Sequence, residues 1–282
     1  LSRPGRWNLE LNYIIDPTEL KTAYDKYDVD YLSLLVKSEQ HFGVKLWKTN
    51  SSLNPAFVLL KGQLLLVFDL QLDGTPLLSV IRHKQYLSVF HNSLIKRGLS
   101  PLSYTKDEAT ALLQSHPEIR TKIINQKIDS AYSFMPIGYL VEKKDLKPDN
   151  QYAANQEIIL KLFDNILTQE TVFIISLDAM KSCYSSGTVV VPLVGPVHFS
   201  SDQLIQYLRR FDPYLSGKNS NNLKAVNGDF PEAAILCTKE FSIIYTADST
   251  FQHEKYHVLK TEVISDFLQK YIPDQAIIDV SA

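Results

Sequence analysis

Short apolar runs separated by turn residues dominate the first third of the chain. They predict strands at 44–47, 56–60, 64–70 and 76–81, with Gly62 and Asp73-Gly74 in the turns between them. The run at 64–68 is continuously apolar rather than alternating. A strand that is apolar on both sides is typical of a central strand, so we expect this one to be covered on both faces.

Helical periodicity appears on either side of these strands. Apolar residues at helical spacing predict helices at 18–42 and 84–97, each followed by a glycine that can end it. Two helices are expected within 101–132, because Thr105 and Glu108 form a capping-box signature and Pro117 suits a first helical turn. A further strand is predicted at 135–141, followed by a strongly amphipathic helix at 156–167.

Further strands are predicted in the second half of the chain. Strands are predicted at 172–176, 188–194, 233–237 and 241–246, with a polar turn at 181–187, a helix at 201–211 and an exposed excursion at 213–230. Together the elements predict an α+β fold with mostly antiparallel sheets and packed helices. The charged segment 142–155 suggests two lobes, 1–148 and 149–282, with a single domain as the alternative.

Composition narrows the classes of protein to which the chain can belong. Of 282 residues 45% are hydrophobic, enough for a sizeable core, and no apolar run approaches the ~18 residues of a membrane helix. The net charge is −2 and the cations are scattered, which predicts that nucleic acid is not a partner. Two cysteines in so long a chain suggest a reducing, cytoplasmic compartment. Because the chain begins at Leu1, targeting signals are expected to lie outside it.

The segment His253-Glu254-Lys255-Tyr256-His257 matches H-E-x-x-H, a motif with a known chemical mechanism. On a helix, His253 and His257 would share a face and could bind one zinc ion, with Glu254 as general base of a metallopeptidase. On a strand they would lie ~13 Å apart and could not share an ion. No third ligand is evident and Lys255 is unusual for such helices, so no cofactor is expected unless the helical form holds.

A second candidate for catalysis is Cys183, within the predicted polar turn. His198 follows it and Asp178 precedes it, so a cysteine hydrolase is a further alternative, although nothing in the sequence fixes that geometry. The other cysteine, Cys237, lies in an apolar run and is expected in the core.

The absence of a convincing catalytic pattern favours a protein-interaction or regulatory domain that acts on another intracellular protein. Aromatic residues near arginine are typical of binding hot spots, and Tyr207, Phe211 and Tyr214 lie near Arg209-Arg210. More often such residues form half-buried helix faces. The sequence leaves open whether the chain is an enzyme and what its oligomeric state is.

Overall fold

The computed structural model describes most of the chain from residue 45 onwards. The described residues are 12–15, 45–49, 56–96, 99–147, 153–168, 170–216, 223–228, 230, 232–247, 251, 253–262, 264, 268, 272 and 277–279. The predicted helix at 18–42 lies outside them. The chain divides into two compact units, the first ending at Leu102 and the second beginning its main part at Ser103.

The described residues of the first unit form two small sheets and one helix. Strands β1 (Asn12–Ile15), β2 (Lys45–Lys48) and β6 (Ser100–Pro101) form one sheet, in which β1 and β2 are parallel. Strands β3 (Ala56–Leu60), β4 (Leu64–Leu70) and β5 (Pro76–Ile81) form an antiparallel sheet, and helix α1 (Lys84–Lys96) follows. The hairpin turns place Gly62 at φ 71° and Gly74 at φ 82°, where a side chain would be strained. The predicted bounds of β3, β4 and β5 are confirmed.

The second unit is built around one eight-stranded sheet. Its strands are β7 (Ser103–Thr105), β8 (Ser130–Ser133), β9 (Val172–Ser176), β12 (Leu223–Val226), β13 (Ala233–Cys237), β14 (Phe241–Thr246), β15 (Lys255–Lys260) and β16 (Ile277–Asp279). Their order is β16-β12-β9-β8-β13-β14-β15-β7. Strands β12, β9 and β8 are parallel to one another. The edge strand β16 is antiparallel to β12, and the run β8-β13-β14-β15-β7 is antiparallel throughout. The fold is α+β, as predicted.

The second unit also contains helices and a hairpin. The helices whose bounds lie within the described residues include α2 (Lys106–Ser115), α3 (Pro117–Asn125), α4 (Ala153–Thr168), α5 (Leu177–Ser186), α6 (Ser201–Arg209) and α7 (Asp212–Ser216). The hairpin pairs β10 (Thr188–Val191) with β11 (Gly195–His198). Thr105 forms the predicted capping box with Glu108, and Pro117 opens α3 as predicted. None of the helices within the described residues combines the length and apolar character needed to cross a bilayer.

Three predictions for the second unit are wrong. The strand expected at 135–141 is an irregular buried segment with one isolated bridge, from Ile137 to Val190, and the true strand is β8, just before it. Residues 181–186 of the predicted polar turn belong to α5, which Ser176 caps by accepting a hydrogen bond from the Ala179 amide, and Gly187 ends the helix at φ 62°. The excursion at 213–230 contains β12, which pairs in parallel with β9.

The predicted boundary at 148/149 does not coincide with the division between the compact units. Strand β8 precedes that position and β9 follows it, yet the two are parallel neighbours in one sheet. The segment 142–155 therefore contributes to the connection between paired strands of the second unit. Its residues Glu142 and Asp145 form ion pairs with Arg210 from the end of α6.

Candidate functional site

The H-E-x-x-H segment is extended rather than helical. Residues from Lys255 onwards form β15, which pairs with β14 and β7, and the predicted alternative of a strand is confirmed. His257 is 3% exposed, whereas His253 is exposed before the strand begins. No three His, Cys, Asp or Glu residues among those described could hold a metal ion together. Two histidines four residues apart could share one zinc ion only on a helix, so the extended conformation of this segment does not support a zinc site at His253 and His257.

Glu254, the predicted general base, contacts the turn between β10 and β11. Its side chain is buried against the turn that joins β10 and β11, and its Oε2 accepts hydrogen bonds from the Leu193 amide, at 3.2 Å, and from the Tyr256 hydroxyl. Lys106 Nζ lies 3.7 Å from Oε1. Burial raises the pKa of Glu254, although its contacts with Tyr256 and Lys106 act in the opposite direction.

The β10–β11 turn held by Glu254 has a strained backbone. Leu193 adopts φ 65°, a conformation that side chains rarely take, and its amide also donates to the Tyr256 hydroxyl at 2.6 Å. The Leu193 carbonyl accepts from Asn155 Nδ2 at 3.1 Å, and the Val194 carbonyl accepts from Lys106 Nζ at 2.7 Å. These contacts tie the turn to β15, α2 and α4. We therefore interpret Glu254 as a structural anchor.

Cys183 lacks the surroundings of a catalytic thiol. It is 8% exposed on α5, and burial raises the pKa of its thiol, whereas a nucleophile needs a lowered pKa. The Nδ1 atom of His198 lies 2.9 Å from the Thr188 hydroxyl, and Asp178 pairs with Lys181. The elements of the predicted hydrolase thus have other partners. Cys237 is buried in the core as predicted.

The aromatic cluster near Arg210 is part of the core. Tyr207 is 1% exposed and stacks on Phe199 with the ring centroids 4.9 Å apart. Arg210 lies over the Tyr207 ring and donates hydrogen bonds to the Leu140 carbonyl and to Asp145. Tyr207 therefore stabilises the second unit from within and is not free to form a binding hot spot.

The main exposed apolar feature of the described residues lies in the first unit, on the β3-β4-β5 sheet. The strand register places one set of side chains on the side of the sheet that we call the outer sheet face. Its members share one property: every side chain is a hydrocarbon, without charge or hydrogen-bonding group. They are Ala56, Val58, Leu60, Leu64, Leu66, Phe68, Leu70, Pro76, Leu78 and Val80.

Most of this outer sheet face is accessible to solvent. Six members, among them Phe68, Leu70 and Leu78, keep between 42% and 66% of their surface exposed. With strands ~4.8 Å apart and ~3.4 Å per residue, the face has a footprint on the order of 300 Å². An antiparallel sheet with one solvated face normally carries polar residues on that face. A face that carries only apolar residues is therefore more typical of a binding surface than of a surface that stays in contact with water.

The opposite face of the same sheet is partly covered, with Leu77 at its far end still 41% exposed. Phe57 packs edge-to-face on Phe90 of α1, with the ring centroids 5.1 Å apart. Leu65 is fully buried there, and Leu87 of α1 is 1% exposed. The expectation that β4 is central is confirmed, but the expectation that both its faces are covered is wrong, since α1 covers only one of them. Within the described part of the chain, neither β3 nor β5 pairs with a further strand.

The sequence contained a signal for this surface. Alternate positions in β3, β4 and β5 are all apolar on the outer side of the sheet, and on the other side all are apolar except Asp69 and Ser79. Only one predicted helix directly follows the strands. Such a pattern indicates that the sheet needs a second cover. It does not reveal whether that cover comes from the same chain or from another molecule.

Comparisons with known proteins give little further information. No protein-family model matches this chain, and no curated protein matches it. Among solved structures it is similar to TrmBL2, described as an archaeal chromatin protein that shows a novel mode of DNA binding. The two chains are 12% identical, the match covers 67% of this chain and 58% of that one, and the TM-score is 0.27.

This chain thus matches less than two thirds of the length of that protein. The sequence predicted that the partner is another intracellular protein and that nucleic acid is not a partner. This comparison corrects that prediction, because a similar chain is described as a DNA-binding chromatin protein. A likeness at this TM-score assigns no partner to the chain.

Proposed function

We propose that this chain is a protein-interaction domain that binds through the outer sheet face. The observation that supports the proposal is the chemistry of that face, which consists of hydrocarbon side chains on three paired strands. Exposed apolar area on this scale is unfavourable in water, and a partner that covers it removes this cost.

The apolar area of the face is large enough to contribute substantially to binding. Covering about 300 Å² of apolar surface at ~25 cal/mol per Å² contributes roughly 7 kcal/mol, and a matching apolar surface on the partner contributes about as much again, against an entropic cost of association of about 4–15 kcal/mol. The strands are already paired, so little backbone ordering opposes binding. No charge lies on the face, and we therefore expect an affinity that varies little with salt.

Neither enzymatic alternative has a comparable observation in its favour. The two histidines do not share a helix face, and Glu254 is occupied by the β10–β11 turn. The thiol of Cys183 is buried with a raised pKa. The proposal therefore concerns binding alone.

Site-specific photo-crosslinking tests the proposal. A photoreactive amino acid is placed at Leu78, on the outer sheet face, or at Val89, which is 68% exposed on α1 in the same unit. In cells that naturally express the protein, we expect a discrete protein adduct from position 78 and none from position 89. No adduct from position 78, or the same adducts from both positions, would overturn the proposal.

A further inference from the structure

The outer sheet face restricts the chemistry of whatever covers it. A partner with charged or hydrogen-bonding groups at the contact would leave them buried without partners, because the face offers none. The occupant must therefore present a flat hydrocarbon surface of similar size. Sheet faces of this kind pack on one another roughly 10 Å apart, as in a β-sandwich.

We propose that the occupant is the outer sheet face of a second copy of this chain. The inference rests on the proposed function and names its partner. A face of this composition is complementary to itself, since it contains no charge that would oppose a like charge across a two-fold axis. Two copies would form a six-stranded sandwich that is covered by α1 on each outer side.

The symmetry determines which residues meet. A two-fold axis in the plane between the two faces, whether it runs along or across the strands, places β4 of one copy over β4 of the other. Leu66 and Phe68 lie near the centre of that contact, and Val58, Val80 and Leu78 flank them on β3 and β5. Phe68 is the largest side chain of the face and is 45% exposed.

The size of the contact sets its strength. Two faces bury on the order of 1,000 Å² of accessible surface once the sides of protruding side chains are included, which is near the lower limit for a specific interface. We therefore expect a reversible dimer that dissociates at micromolar concentrations rather than a permanent one. Such an equilibrium is measurable with the full chain.

Sedimentation equilibrium of the full chain from about 1 to about 100 µM measures this association. Phe68→Glu places a charge at the centre of the contact and should weaken dimerisation by at least ~100-fold. Leu78→Thr preserves strand propensity and should weaken it by about tenfold, so it serves if the charged variant does not fold. Val89→Glu changes an apolar residue of α1 that is 68% exposed, and it should leave the dimer unchanged.

Three results would overturn the second-copy proposal. These are a monomer at the highest concentration, a folded Phe68→Glu or Leu78→Thr chain that dimerises like wild type, and equal weakening by Val89→Glu. Photo-crosslinking from position 78 distinguishes failure of the second-copy proposal from failure of the proposed function. A monomer that still forms an adduct with a different protein loses only the second-copy inference.

Coverage of the face by the chain itself gives a further distinct result. A thiol introduced by Leu78→Cys, at a position that is 53% exposed, then reacts with a maleimide far more slowly than one introduced by Val89→Cys, even in dilute monomer. That result would overturn both proposals. A Leu78→Cys thiol that is accessible in the monomer and protected in the dimer is the result we expect.

Discussion

Glu254→Ala provides a sharp test of the interpretation that Glu254 anchors the β10–β11 turn. The change removes the acceptor of the Tyr256 hydroxyl and of one hydrogen bond from the Leu193 amide, and it leaves Lys106 without its carboxylate. Each unsatisfied buried group costs about 1–3 kcal/mol. Lys106 adds little, because its side chain is 19% exposed and it keeps the Val194 carbonyl as a partner.

The sum is a destabilisation of about 3 kcal/mol. For a unit of this size it corresponds to a fall of roughly 6–12 °C in Tm, measurable by calorimetry or circular dichroism. Glu240→Ala is a matched control, because Glu240 forms only an exposed ion pair with Lys122, and we expect no measurable change in its Tm. A Glu254→Ala chain as stable as wild type would refute the anchoring role, and loss of a hydrolytic activity from that stable chain would restore the catalytic hypothesis.

Three further predictions concern titration and thiol chemistry. Burial raises the pKa of Glu254, so above pH 4.5 the folded chain binds more protons than the unfolded chain, and wild type loses stability as the pH rises. Glu254→Gln removes this titration. Unfolding measured at a series of pH values should therefore show the variant gaining stability relative to wild type as the pH rises above 4.5. Burial opposes ionisation of Asp145, but the ion pair with Arg210 outweighs burial and lowers the pKa of Asp145. Asp145→Asn should therefore lower the free energy of unfolding by about 2 kcal/mol at neutral pH and by less below pH 3.8, which urea unfolding at several pH values can measure. Cys183 and Cys237 should both react slowly with iodoacetamide in the folded chain, and a fast Cys183 would contradict its burial.

Local sequence signals predicted the hairpins well. Strands β3, β4 and β5 have the predicted bounds because Gly62 and Gly74 provide the left-handed turn positions that each hairpin needs. Strands β13 and β14 were predicted for a similar reason, since the short turn between them makes them neighbours. In each case the partner of a strand is the next segment of the chain.

Strands with distant partners were harder to predict. Strand β8 reads Ser-Ala-Tyr-Ser, a weak pattern, yet it lies in the interior of the sheet between β9 and β13. Strand β12 follows an asparagine-rich stretch and owes its conformation to parallel pairing with β9. Their stability comes from tertiary pairing, which local propensity does not encode.

The candidate sites illustrate the same limit. The H-E-x-x-H pattern is local, but the conformation of the segment is set by pairing with β14 and β7, which separates the two histidines. The environment of Glu254 depends on Leu193, sixty-one residues away in the sequence. The apolar character of both faces of β4 was evident from the sequence, whereas the side left open by α1 became evident only from the fold.

The central claim is that the apolar character of the outer sheet face makes it a binding surface. Photo-crosslinking from position 78, carried out in the natural host with and without Phe68→Glu in the same chain, tests this claim most directly. We predict a discrete protein adduct that disappears when Phe68→Glu is introduced and persists when Val89→Glu is introduced instead. An adduct of equal yield in a folded Phe68→Glu chain, or no adduct at all, would contradict the claim.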